Sequence, residues 1–600
     1  MLGARQMMAK VVAPFSFAAT ATATATRPRT ATARRVLDAA RGRRFWGRTL
    51  PLPLPLLLLG ALLLASLLAI FLRTDQYGIT IDEPLREDVG RALLRWYTTL
   101  GRDSSYFTKF SDGLHEPEHG GIFDAFITLV QFHVLPFLDH WLVRHLVTAL
   151  VGWLGLGAIA LCGYELGGGW VAFAAALGLW LYPRYEGAIY NNPKDVPATV
   201  TMLVLLWATL LLVKQWDSGK HVWRNGLLVG CSLGVAIAIR ANAALWVAVL
   251  AALLGGWWLA HGRGVWQERR LRAEATRQGL SAAIIGVSSL LTTMALWPYV
   301  LINPLNLIRA LQVLSHYPFE GSVLYDGSLY PATQLPRGYA PVWLVIGSPP
   351  ILLLLALLGL GLFLAAAVRA RRVDAPLAVV ALAFAVPWST ILLLHAVLYD
   401  GLRHFLFLIP PLLLFAAWGL VRTVSLLTTL AQRGEAIFRA RQQMAMRVVA
   451  ASLLLVTLGS YALVARDMAD LAPYEYAYFS PLVGGLPGAS GRFDIDYWAT
   501  CTRASAEWLA QHYREYTGKS APSVMTPYPR QQITPFLPQT FQAQIYDSDL
   551  PQDLMQPDFY LSPTRVQYDQ LFSGYTVIHV VAAQDVPLCV VKVNPQLAAT

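Results

Sequence analysis

The sequence predicts an α-helical polytopic membrane protein of about 11 transmembrane helices, followed by a C-terminal extracytoplasmic α+β domain. Of its 600 residues, 56% are hydrophobic and only 14% charged, against about 45–50% and about 25% in soluble domains. The apolar excess falls in runs of about 20 residues, the length that crosses a ~30 Å hydrocarbon core. Basic residues fall in the segments between these runs. Mean hydropathy is +0.47.

Residues 1–50 read as a disordered basic N-terminal tail. The stretch TATATATRPRTATARR has the Ala/Thr/Arg composition of a transit peptide, and the first acidic residue is Asp38. The preferred reading is nonetheless a disordered, basic cytoplasmic tail or an over-extended start codon. Residues 51–465 form the membrane domain. Its spans are expected near 52–72, 141–164, 168–183, 197–214, 225–239, 241–260, 280–302, 340–367, 376–398, 404–421 and 448–465. With a cytoplasmic N-terminus, the short loops bearing Lys214, Arg224, Arg269, Arg270, Arg371, Arg372 and Arg439 all face inward. An odd number of spans then places residues 466–600 outside, as a soluble domain. The expected location is the inner membrane. The charge of +11 is thereby a topology signal rather than a nucleic-acid footprint.

Two outer segments between residues 73 and 140, EPLREDVGRALLRWY and GIFDAFITLVQFHVLPFL, have helical apolar spacing. They are expected to lie along the membrane interface. Residues 303–339 are a Pro/Tyr-rich loop. In the tail, SAEWLAQHYREY reads as a helix and YTVIHVVAAQDVPLCVVKV as a hairpin. Of the cysteines, Cys162 and Cys231 fall in apolar spans as small core residues. Cys501 and Cys589 share the tail, where a disulfide and two buried thiols are both open readings.

Ionisable groups at the outer ends of spans are costly near lipid and mark substrate paths. In ITIDEP, Asp82 suits a general base for a sugar-accepting hydroxyl, with Glu83 orienting it or touching the acceptor. The alternative is a helix cap. In YPRYEGAIYNNPKDVP, Arg184 and Lys194 suit a phosphate, while Asp195 caps the next span and Lys194 can also be read as snorkelling. Arg240 is either a turn residue or an anion ligand. Arg403 and His404, beside Asp400, are either anion ligands or interfacial anchors. Guanidinium matches phosphate geometry and lysine supplies a point charge. The sequence has no Walker motif, no GxGxxG after a strand and no His/Cys metal spacing, so neither cofactor nor metal is expected.

A first span followed by a long loop carrying DE resembles the GT-C superfamily of membrane glycosyltransferases. YNNPKDVP, AIRANA, LPRGYAPVWLVIGSPP, LYDGLRHFLFLIPP and YFSPLVGGLPGASGRFDIDYW, in this order, resemble its protein O-mannosyltransferase and aminoarabinose-transferase branch. The resemblance covers about residues 50–600. It implies many transmembrane helices with outer interfacial helices, a polyprenyl-phosphate-linked sugar donor and inverting transfer to a lipid, protein or glycan acceptor. It makes Asp82 the base and Lys194, Arg240 and Arg403 donor-phosphate ligands. The second outer loop carries NPKD rather than the acidic metal motif of the oligosaccharyltransferase branch, so metal-independent transfer is implied. A transporter or flippase of lipid-linked sugars, or a non-catalytic scaffold, are the rival classes. The sugar, the acceptor and the oligomeric state are not readable from the sequence.

Overall fold

The computed structural model describes residues 53–597, except 111–114, 217–220, 268, 316, 318, 320, 395 and 434–439. The expected basic tail lies outside the described residues. Pro53–Thr600 forms one compact unit.

The long apolar runs become helices because only a helix satisfies every backbone polar group without water. They are α1 (Leu54–Arg73), then α4 (His140–Gly167), α6 (Asp195–Gln215), α7 (Val222–Ile239), α8 (Trp246–Gln267), α9 (Leu271–Leu296), α11 (Pro350–Ala370), α12 (Ala375–Leu394), α13 (Ile409–Arg433) and α14 (Ala440–Leu471). Among the described residues, these 10 are long and apolar enough to cross a membrane. The chain is a multi-pass membrane protein.

The expected span at 168–183 is the shorter α5 (Gly169–Trp180), about 18 Å at 1.5 Å per residue. It still returns the chain from one end of the bundle to the other. Lys214 Nζ near the end of α6 lies 2.7 Å from Glu165 Oε2 near the end of α4. Both helices therefore finish at the same end, and α5 leads back. Gly168 reverses the chain between α4 and α5 at φ +81°, a conformation that favours glycine.

Two helices pack at the other end: α2 (Glu83–Thr98) and α3 (Ile122–Leu129). They cross closely at Gly90, where a Cβ would stand 2.4 Å from the Asp124 carbonyl oxygen. Val89, Ala92, Leu93, Tyr106, Phe110 and Ala125 form the core between them. The expected loop at 303–339 contains α10 (Asn306–Ser315) and a hairpin, β1 (Ser322–Tyr325) and β2 (Ser328–Pro331). Its turn residues Asp326 and Gly327 both have positive φ, as a two-residue hairpin turn requires.

The tail carries α15 (Thr502–His512) against a five-stranded sheet in the order β4-β3-β5-β7-β6. The strands are β3 (Ser523–Thr526), β4 (Gln542–Ile545), β5 (Phe559–Pro563), β6 (Thr576–Ala583) and β7 (Val586–Val593). β3 runs parallel to β4 and β5, and β7 antiparallel to β5 and β6. The expected helix and hairpin are both present. Cys501 and Cys589 are disulfide-bonded, with Cα atoms 5.7 Å apart. Cys162 is buried, but Cys231 is exposed on the bundle surface rather than in the core; its span offers that face to lipid.

Candidate active site

Asp82 stands at the entrance to α2, nine residues beyond the end of α1. The helix-cap reading fails on geometry. The Asp82 side chain makes no cap hydrogen bond; instead, the carboxylate of Glu83 accepts from the Thr80 backbone N–H at 2.8 Å and from its hydroxyl at 3.2 Å. Glu83 is fully buried. Its other neighbours are His145 Nε2 at 3.1 Å and Arg144 Nε at 3.6 Å. The expectation that Glu83 touches an acceptor is corrected here: a carboxylate enclosed by Thr80, Arg144 and His145 has no face left for substrate. It anchors the start of α2 and so places its neighbour.

The Asp82 carboxylate is 41% exposed. Its Oδ2 accepts from Arg403 Nη1 at 2.7 Å, while Oδ1 has no protein partner among the described residues. Burial raises this carboxyl, but the charges of Arg403, Arg86 and Lys194 offset it and leave it below the usual aspartate range. Asp82 is therefore ionised with one oxygen open.

Arg403 is no interfacial anchor. It is 9% exposed and its Nε lies 3.3 Å from Asp400 Oδ2. Arg565, at the end of β5 in the tail, pairs with the other Asp400 oxygen. His404 lies 3.3 Å from Arg403 Nε and packs edge-on to Tyr399, with ring centres 4.3 Å apart.

Lys194 is half-buried and faces this centre. Its charge acts on Asp82, and the charges of Arg86, Glu116 and Arg240 act on it. Burial, with Arg86 and Arg240, lowers its ammonium to about 7. Its Nζ has no hydrogen bond or ion pair among the described residues. Arg240 sits in the break between α7 and the following short helix, at φ −151° and ψ 115°. There it pairs with Asp195. Asp195 and Lys194 are held by the Asn192 side chain, which accepts from both backbone N–H groups at 2.9 and 3.2 Å.

Arg184 is the sequence candidate that does not join this crevice. It is 2% exposed. Its Nη2 donates to the Tyr478 carbonyl at 2.7 Å, and its guanidinium lies 4.9 Å from the ring centres of Trp343 and Phe479. It is corrected from a donor ligand to a buried brace between the α5–α6 connection and the tail.

The sequence reading missed three residues at the site. Arg86 lies one helical turn after Asp82, a spacing that puts both on one face, and it pairs with Glu116. His119 lines the cleft beside Lys194 and is held neutral by burial and by the charges of Lys194 and Arg86. Arg565 had no local signal, because only the folded tail brings it to Asp400.

A first span thus runs into a carboxylate loop, two short helices pack at the same end, and cations from three later connections meet there.

No protein-family model matches the sequence, and no curated protein matches it. Among solved structures, ArnT from Cupriavidus metallidurans bound to undecaprenyl phosphate is similar at 16% identity and a TM-score of 0.46, covering 90% of this chain and 98% of that one. The apo oligosaccharyltransferase of Archaeoglobus fulgidus is similar at 11% identity and a TM-score of 0.48, covering 78% of this chain and 62% of that one. The arabinosyltransferase EmbB from Mycobacterium smegmatis is similar at 14% identity and a TM-score of 0.39, over 79% of this chain and 45% of that one.

Proposed function

We propose that this chain is a membrane glycosyltransferase that moves a sugar from a polyprenyl-phosphate donor to an acceptor hydroxyl, with inversion at the sugar carbon. The observation that carries the reading is the half-exposed Asp82 carboxylate, held by Arg403 on one oxygen and open on the other, beside the unpaired Lys194 ammonium.

The lipid phosphate is already a competent leaving group. The protein has to align an acceptor hydroxyl, take its proton and stabilise the charge left on the phosphate. Asp82 Oδ1 takes the proton. The sugar carbon gains the bond to the acceptor oxygen and loses the bond to phosphate oxygen. Lys194 faces the departing phosphate. Arg240 joins it by exchanging Asp195 for the phosphate, and Arg403 and His404 line the same space. His119, neutral in the free protein, lines the cleft beside Lys194 and carries a ring N–H that can donate.

We infer that the active end lies on the outer side of an inner membrane. Two features support this: the described basic residues of the short loops, such as Lys214, Arg224, Arg270 and Arg371, lie at the opposite end of the bundle, and the Cys501–Cys589 bond belongs to an oxidising compartment.

The test is incubation of the purified protein with a panel of polyprenyl-phosphate sugars and candidate acceptors, read by mass spectrometry. Release of lipid phosphate with a glycosylated acceptor supports the reading. Intact lipid-linked sugar crossing a vesicle without release would establish a transporter instead.

A further inference from the structure

A second cavity lies where the end of α14 meets the start of the tail and the tip of the β6–β7 hairpin. Its volume is about 270 Å³, and Asp467, Tyr478, Phe479, Gln584, Gly484 and Gly485 are among its lining residues. One water occupies about 30 Å³ of liquid volume, so the space exceeds what a single bridging water fills.

Two lining groups lack partners. Tyr478 is 1% exposed, yet its hydroxyl makes no hydrogen bond. Asp467 has no hydrogen bond or ion pair among the described residues, although its charge acts on the Tyr478 phenol. A buried hydroxyl without a partner is uncommon in a folded protein and calls for an explanation. Here carboxylate and phenol face a common space without touching, which is what a ligand oxygen between them would satisfy.

The lining selects the ligand chemistry. It has no lysine or arginine, so it does not suit a phosphate or carboxylate. It offers a carboxylate that accepts, and a phenol and an amide that both accept and donate. A bare ammonium group would leave those donors unused. A neutral polyol uses all of them, and Phe479 adds an apolar ring wall.

We infer that this cavity is a saccharide-binding site, taking one sugar ring of the acceptor. The acceptor role rests on the glycosyltransferase reading. The cavity wall also connects to the transfer centre. Arg184 holds the Tyr478 carbonyl and packs on Phe479, and the charges of both Arg184 and Arg403 act on Tyr497.

The experiment uses the full chain carrying Asp82→Asn, so that no turnover intervenes. Methyl glycosides of glucose, galactose, mannose and arabinose are tested by saturation-transfer NMR and by thermal shift. At least one is expected to bind. Tyr478→Phe should weaken that binding about 10-fold or more without lowering the unliganded Tm, since the lost hydroxyl had no protein partner. Asp467→Asn should weaken it similarly. Failure of all four glycosides to bind, or binding that survives both substitutions, overturns the site. Binding as expected alongside wild-type protein that releases no lipid phosphate would leave the saccharide site standing and remove the transferase reading.

Discussion

Arg403 Nη1 donates to Asp82 Oδ2 at 2.7 Å across 321 positions of the chain. The bond fixes one carboxylate oxygen and leaves the other open. On the proposed function, it also sets the strength of the base. An aspartate held below its usual range is a weak base, suited to a reaction whose leaving group needs little help and whose acceptor proton leaves late.

Asp82→Asn should therefore lower turnover by roughly 10²–10⁴-fold, the usual worth of a positioned base. Asparagine keeps the shape and still accepts from Arg403, but takes up no proton. Donor binding and Tm should stay near wild type, because the side chain caps nothing. Glu83→Gln should behave oppositely: it weakens a buried network with Thr80 and His145 and should lower Tm first. Steady-state kinetics beside thermal denaturation separates the two.

The membrane architecture was legible because burial in lipid imposes its length and polarity on every span. Span 168–183 was over-read because its apolar run continues past Trp180 into residues that turn toward the site. Asp82, Lys194, Arg240 and Arg403 were legible because charged groups beside lipid need a reason. Glu83 and Arg184 share that composition but are enclosed inside the protein, a distinction set by packing and invisible to spacing. Arg565 lies 165 positions from its partner Asp400, and no local pattern signals such a pair.

Lys194 gives donor binding a pH dependence. Its ammonium is lowered to about 7, so it is charged below that pH and increasingly neutral above it. A donor phosphate favours the charged form, so binding takes up a proton at and above neutrality. Apparent donor affinity should fall as pH rises through 7, while the acid limb from Asp82 lies below the usual aspartate range. Lys194→Arg should flatten the alkaline fall, because guanidinium stays charged. Calorimetry in buffers of different ionisation enthalpy checks the uptake; equal heats in all buffers at pH 7.5 would exclude it.

On the proposed function, the Arg565–Asp400–Arg403 chain makes the tail a positioning element for Asp82. Arg565→Met should lower kcat by about 10²-fold with little change in donor KM, a cost of the size that small misplacements carry. The effect acts through Asp82. In an Asp82→Asn background, the same substitution should therefore cost almost nothing further in kcat. Additive losses in this double-mutant cycle would show that Arg565 serves only the fold.

Glu186 should control how stability depends on pH. It is 3% exposed, its Oε1 accepts from Tyr190 at 3.3 Å, and it shares Arg73 with Glu475. Burial, reinforced by the charge of Glu475, pushes its carboxyl up to about 8 from an unfolded value of 4.5. Between those values the folded chain holds a proton that the unfolded chain has lost. Stability from this group is therefore greatest at acid pH and falls as pH rises from about 4.5 to 8, by up to about 1.4 kcal/mol per pH unit. Glu186→Gln keeps the hydrogen-bond acceptor and removes the titration. The variant should match wild type near pH 5 and exceed its Tm near pH 8, measured in the same detergent. Parallel Tm curves across that range would place the pH dependence elsewhere and show that Arg73 holds both carboxylates ionised.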